Sequence, residues 1–211
     1  MVFDMDGVLM DSSAIHDAAF REALRGYSVP DFRYSSVAGM RTNEALRTIL
    51  GSVDAAYTET EIATLSMLKS KVARAAIREL NPIAPECLPV LTALASDYRL
   101  ALASSASRET VEVFLGQNDL ARFFEVVLSG DDVANAKPDP LIYGTCCKHL
   151  NLDPCECLVI EDAESGVRAA KGAGTFVIGL TTPEGEQALK LAGADLVVHS
   201  LHDVLFLRRS S

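Results

Sequence analysis

The sequence predicts a doubly wound α/β fold interrupted by an all-helical insertion, and three observations predict it. Short apolar runs recur along the chain. Helical patterns separate the later runs, so strands and helices alternate. The stretch from Ser12 to Asn81 breaks this rhythm, because it holds no convincing strand and reads as successive helices.

The apolar runs at 1–3, 100–103, 126–128, 158–160, 176–178 and 196–198 have the length of strands and carry turn residues at their borders. Helical patterns at 109–115, 141–150 and 165–173 lie between the later runs. Strict alternation of this kind implies a parallel sheet covered on both faces. The insertion reads as helices at 13–25, 42–50 and 59–80. The third begins with Glu59 and Glu61 and carries Lys69, Lys71, Arg74 and Arg78 further on, the polarity that favours a helix dipole. Pro82 and Pro85 then end the helix, since proline cannot continue one and restricts the residue before it. The expected boundaries are therefore 1–12 with 82–211 for the α/β core and 13–81 for the insertion, with hinges at Ser12-Ser13 and Asn81-Pro82.

Composition narrows the function. A chain of 211 residues with 49% hydrophobic and 23% charged side chains is long enough to bury a core and to fold alone. Its formal net charge is −10, and no stripe of Lys and Arg is present to follow a phosphate backbone, which argues against a nucleic-acid partner. A small anionic substrate stays compatible, because a bound divalent cation reverses the local field. No membrane-length apolar run or signal peptide is seen, so the expected setting is the cytoplasm, as a monomer or weak homo-oligomer. The five cysteines, Cys87, Cys146, Cys147, Cys155 and Cys157, fit free thiols in a reducing compartment. A metal clip at Cys155 and Cys157 lacks the further ligands that a tetrahedral site needs.

The first chemical signal is Phe3-Asp4-Met5-Asp6-Gly7-Val8-Leu9-Met10-Asp11-Ser12, directly after the first strand. If the strand ends near Asp4 and the chain then turns, Asp4 points into a crevice and Asp6 approaches the same point from the loop. Gly7 gives the turn its freedom. Such a pair suits a nucleophile with a separate general acid/base, although a solvated loop or a calcium-type turn would carry the same residues. Ser104-Ser105 ends the second apolar run, Lys137 stands in Ala136-Lys137-Pro138-Asp139-Pro140, and Glu161-Asp162 ends the fourth run. Taken singly, these read as a helix cap, a surface turn and a helix N-terminal acidic pair.

Together and in this order they resemble the four motifs of the haloacid dehalogenase (HAD) superfamily, in the subfamily of β-phosphoglucomutase and sugar-phosphate phosphatases. The resemblance covers nearly the whole chain and implies a Rossmann-like core with an inserted helical cap. It implies Asp4 as nucleophile and Asp6 as acid/base, with Ser104 and Lys137 holding the phosphoryl group and Ser105 beside them in substrate binding. It also implies Mg2+ held by the carboxylates of Asp4 and Asp162 and the Asp6 carbonyl, with Glu161 behind them. Physical reasoning agrees, because all these residues fall at the carboxyl edge of the sheet, where open α/β sheets bind ligands.

The resemblance extends into the cap. His16 stands where the mutases place a histidine that contacts the acid/base or substrate. Gly39-Met40-Arg41-Thr42-Asn43-Glu44 resembles the specificity loop, making Arg41 a substrate contact, and Lys69 or Lys71 takes the place of a cap lysine. Where the mutase has an arginine for the distal phosphate this chain has Thr42, and where it has a Ser-Lys pair this chain has Ala106-Ser107. A mutase holds two phosphates at once, so these departures favour a phosphatase of a small phosphorylated metabolite, of the sugar or polyol phosphate class. A phosphosugar mutase is the alternative, and a non-catalytic metabolite-binding module the second. No motif residue is missing, which weighs against the last.

Overall fold

The computed structural model describes residues 1–207. Six strands form one parallel sheet: β1 (Val2–Phe3), β2 (Ala101–Ala103), β3 (Val126–Leu128), β4 (Leu158–Glu161), β5 (Phe176–Leu180) and β6 (Leu196–Val198), in the order β3-β2-β1-β4-β5-β6. Each apolar run expected to be a strand is one, with ends differing by no more than two residues. The pleat sends alternate side chains to opposite faces. Val2, paired with Ala101 and Val159, enters the apolar cluster on one face, while Phe3, paired with Leu102 and Ile160, enters the cluster on the other.

Three helices belong to the insertion: α1 (Ser13–Ala23), α2 (Thr42–Gly51) and α3 (Glu59–Leu80). Helix α3 starts in a reciprocal capping box between Thr58 and Glu61 and stops at Asn81, whose left-handed φ of 44° ends the hydrogen-bond ladder. The insertion has its own apolar cluster of Phe20, Leu24, Phe32, Leu46, Leu50, Ile62 and neighbours. The two chain crossings that join it to the sheet run side by side: Asp11 N donates to Pro82 O at 2.8 Å and Ala84 N to Leu9 O at 2.9 Å.

The remaining helices are α4 (Cys87–Leu94), α5 (Arg108–Gln117), α6 (Leu141–His149), α7 (Glu164–Ala173) and α8 (Glu186–Ala192). The sequence reading did not contain α4 or α8. Helix α4 is apolar nearly all round, which blurs the 3.6-residue period, and carries Pro89 in its first turn; α8 has only seven residues.

Candidate active site

The chain leaves β1 and β4 in neighbouring positions and diverges to opposite sides of the sheet, which opens a crevice at their carboxyl ends. Asp4 is the first residue past β1, pinned by its amide to Ile160 O at 3.0 Å. Glu161 closes β4 and Asp162 follows it. Asp4, Glu161 and Asp162 present carboxylate oxygens that all lie within 4.8 Å of one another. Gly7 passes against this cluster with a φ of +78°, and a Cβ there would sit 1.8 Å from Asp162 Oδ2. Glycine is thus required both for the turn and for room.

Lys137 is 1% exposed and is the cation of this cluster. Its Nζ donates to Asp4 Oδ1 at 2.6 Å, Glu161 Oε1 at 2.7 Å and Ala103 O at 3.1 Å. Glu161 is held on all sides, since Tyr143 also donates to Oε1 and the amides of Asp162 and Ala163 point at Oε2. Three carboxylates facing one ammonium leave two negative charges over. Burial and the neighbouring Glu161 and Asp6 push the Asp4 carboxyl up to about 8 despite Lys137, and burial with Glu161 and Asp4 pushes Asp162 well above its ordinary value. Lys137 is raised in turn, because the two carboxylates outweigh its burial. The cluster is short of a divalent cation, and its all-oxygen donor set suits a hard one.

Asp6 behaves differently. Its Oδ1 accepts from Ser12 Oγ at 2.6 Å and lies 2.5 Å from His16 Nε2. Burial works against its ionisation, but His16, Ser12 and Lys69 outweigh it and hold the carboxyl down at about 2. His16 Nδ1 in turn lies 2.9 Å from Lys69 Nζ, which sits 4.6 Å from the Phe20 ring centroid. The two aspartates of one loop therefore meet two environments, one crowded with anions and one lined with donors.

The structure brings Asp4, Asp6, His16, Lys69 and Ser105 to the rim of one small cavity of about 40 Å³ under the insertion. Ser104, the first residue past β2, is fully buried and accepts from Ala106 N at 3.1 Å, which leaves its O–H free to donate. Two expected residues are not brought in. Lys71 is exposed on the outer side of α3, because Ile62, Lys69, Ala73 and Ile77 share its buried stripe and Lys71 lies about 200° round the helix from Lys69. That stripe spacing was available in the sequence and would have chosen Lys69. Arg41 turns away from the cavity: its guanidinium donates to the carbonyls of Gly130 at 2.6 Å, Val133 at 2.9 Å and Ala134 at 3.2 Å. It straps the insertion to the core. Ser105 Oγ and Ser165 Oγ strengthen that strap, donating to Gly39 O at 2.7 Å and Ala38 O at 3.0 Å. Tyr143 and Ser165 escaped sequence reasoning, since a serine or tyrosine inside a helical pattern carries no signal of its own, and Ser12 was read only as a motif end and hinge.

The model of the family described as haloacid dehalogenase-like hydrolase matches residues 1–180. A β-phosphoglucomutase of Bacillus subtilis is 31% identical over 211 residues, covering 97% of this chain and 90% of that protein. A validoxylamine A 7'-phosphate phosphatase of Streptomyces hygroscopicus subsp. limoneus is 31% identical over 208 residues, covering 96% and 94%. The crystal structure of a β-phosphoglucomutase from Clostridium difficile superposes with a TM-score of 0.83 at 26% identity, covering 96% of this chain and 91% of that one.

Proposed function

Because the chain belongs to the haloacid dehalogenase-like hydrolases, we propose that it is a magnesium-dependent phosphatase of small sugar or polyol phosphates, working in the cytoplasm through an aspartyl-phosphate. The observation that carries this reading is the split between the two aspartates. Asp4, bonded to Lys137, is aimed into the crevice, while Asp6 is held ready by His16 and Ser12 beside it. In the proposed reaction the Asp4 carboxylate attacks phosphorus; Asp6, ionised in the resting site, takes up a proton as substrate binds, passes it to the leaving alcohol and then takes one from the attacking water. Ser104 and Lys137 hold the phosphoryl oxygens. Asp4 and Asp162, with the Asp6 carbonyl, would hold Mg2+, whose charge offsets the surplus carboxylates and the phosphoryl dianion. Residues 13–81 act as a cap that excludes bulk water, and a cavity with room for roughly three water molecules requires the cap to lift for a substrate to enter.

Turnover is expected to vanish in excess chelator and to return with Mg2+, with Ca2+ a poor replacement because its looser coordination disturbs in-line attack. Phosphate release in steady-state assays checks this, and full turnover without metal would overturn the cofactor assignment.

Hydrolysis is favoured over transfer because the leaving-group side offers Thr42, Ala106 and Ser107 and no arginine among the described residues. The His16–Asp6 contact is the feature that favours a mutase, since mutases of this family carry such a histidine. Following inorganic phosphate and isomerised sugar together, with β-glucose 1-phosphate and Mg2+, separates the two. Phosphate should dominate. Isomerisation faster than phosphate release by about a hundredfold, some 2.7 kcal/mol in barrier, would make the enzyme a mutase.

A further inference from the structure

Beyond Asp4 and Asp6, the small cavity is walled by hydroxyl groups and apolar surface. Thr42 of α2 and Ser70 of α3 line it from the insertion, and among the described residues neither hydroxyl has a protein hydrogen-bond partner. From the core, Ser107 and Thr110 line it with their hydroxyls 3.0 Å apart, each keeping capacity for a further bond. Phe20, Val37, Met40 and Ala73 complete the wall.

The one cation lining this side is already matched. Lys69, the one lysine on this lining, faces Asp6 through His16, ammonium against carboxylate, and rests on the Phe20 ring. Arg41, next to Thr42, is committed to three core carbonyls. An additional anion brought in with the substrate would be buried with no counter-charge, which is strongly unfavourable. A neutral hydroxyl meets the opposite situation: it can both donate and accept, and Thr42, Ser70 and a spare N–H of Lys69 stand ready to pair with it.

Granted the phosphatase reading above, we propose that the leaving group is a small uncharged polyol whose hydroxyls are read by Thr42 and Ser70, and that esters carrying a second anionic group are rejected. An ester without hydroxyls leaves the Thr42 and Ser70 groups unpaired once closure expels water, so the subsite selects for hydroxylation and against charge together.

Glycerol 3-phosphate and 3-phosphoglycerate form a matched pair, differing by one hydroxymethyl group replaced with a carboxylate. With p-nitrophenyl phosphate as a probe of the chemistry alone, kcat/KM should favour glycerol 3-phosphate by at least about tenfold. Thr42→Val combined with Ser70→Ala should raise KM for glycerol 3-phosphate by about tenfold with a smaller change in kcat. Thr42→Lys should shift the ratio toward 3-phosphoglycerate by supplying the missing cation. Equal or better hydrolysis of 3-phosphoglycerate by the unaltered protein overturns the inference while leaving the phosphatase intact, as does an unmoved ratio in both variants. Failure on every ester, p-nitrophenyl phosphate included, defeats the phosphatase reading itself and the inference with it.

Discussion

Replacing Asp4 by asparagine is expected to stop turnover, lowering kcat by a factor on the order of 10⁴ or more, the scale on which losing a covalent nucleophile acts. The amide has nearly the shape of the carboxylate, so the bond from Asp4 N to Ile160 O and the packing around β1 should persist. What disappears is the oxygen that attacks phosphorus. The fold should not suffer: Asp4 is one of three carboxylates gathered around a single lysine, and its carboxyl is already pushed up to about 8, burial being the largest cause. Thermal unfolding without metal should therefore show Asp4→Asn at least as stable as the parent. Asp6→Asn makes the informative contrast, because it leaves the nucleophile in place. With an activated ester whose leaving group needs no proton, the phosphoenzyme should still form and then accumulate, since water is no longer deprotonated. Acid quench followed by mass spectrometry checks both. A phosphoryl adduct on Asp4→Asn, or near-parental turnover in either variant, would contradict the roles assigned to the pair.

Lys137→Met should damage both activity and stability. The lysine is buried, and its ammonium is the shared partner of Asp4 and Glu161. Methionine replaces the stem but removes every bond of the head group. Breaking a buried pair by removing one partner costs about 3–5 kcal/mol when the other charge is left uncompensated, and here the head group is the shared partner of two buried carboxyl groups. Phosphate release should fall below detection, and urea unfolding should show the loss of stability directly. Added Mg2+ should recover part of the stability and none of the activity, because a cation relieves the crowding without donating to the transferring phosphoryl group where Lys137 does. A variant as stable as the parent in metal-free buffer would mean that the bonds from Lys137 to Asp4 and Glu161 do not stabilise the fold.

The sheet and the core of this site were legible for the same reason. An apolar run ending in Asp4, Ser104 or Glu161-Asp162 states both a strand and which end of it carries the chemistry, and parallel strands deliver all their carboxyl ends to one edge. Lys137 was legible only through the resemblance, since its own surroundings read as a turn. The insertion was legible as helices because it holds no strand-like run, its third helix opens on Glu59 and Glu61 with basic residues further on, and Pro82 and Pro85 mark its end. Its contacts were not. Whether Arg41 faces substrate or core depends on where the carbonyls of Gly130, Val133 and Ala134 lie, and those positions follow from tertiary packing across about ninety residues of chain. Lys69 is the exception, because the apolar stripe of α3 separates it from Lys71 by spacing alone. The hydroxyl lining by Thr42 and Ser70 was hidden likewise, because small polar residues in helices have no periodic signature.

The adjacency of the two crossings at Asp11 and Pro82 bears on how the chain can reach this fold at all. Strand β1 lies at the centre of the sheet, yet its partner β2 comes almost a hundred residues later, with Val2 opposite Ala101. Closing an unstructured loop of that length is entropically costly, with each doubling of length adding about 0.6 kcal/mol. Helices α1 to α3 pack on one another and share their own apolar cluster. If they condense first, they bring Asp11 and Pro82 together, and the span between β1 and β2 shrinks to the short segments outside the insertion. The search for the central strand pairing then becomes a local one. On this view the segment that closes over the substrate also sets the pace of assembly, and mutations that loosen its apolar cluster should slow refolding more than they speed unfolding.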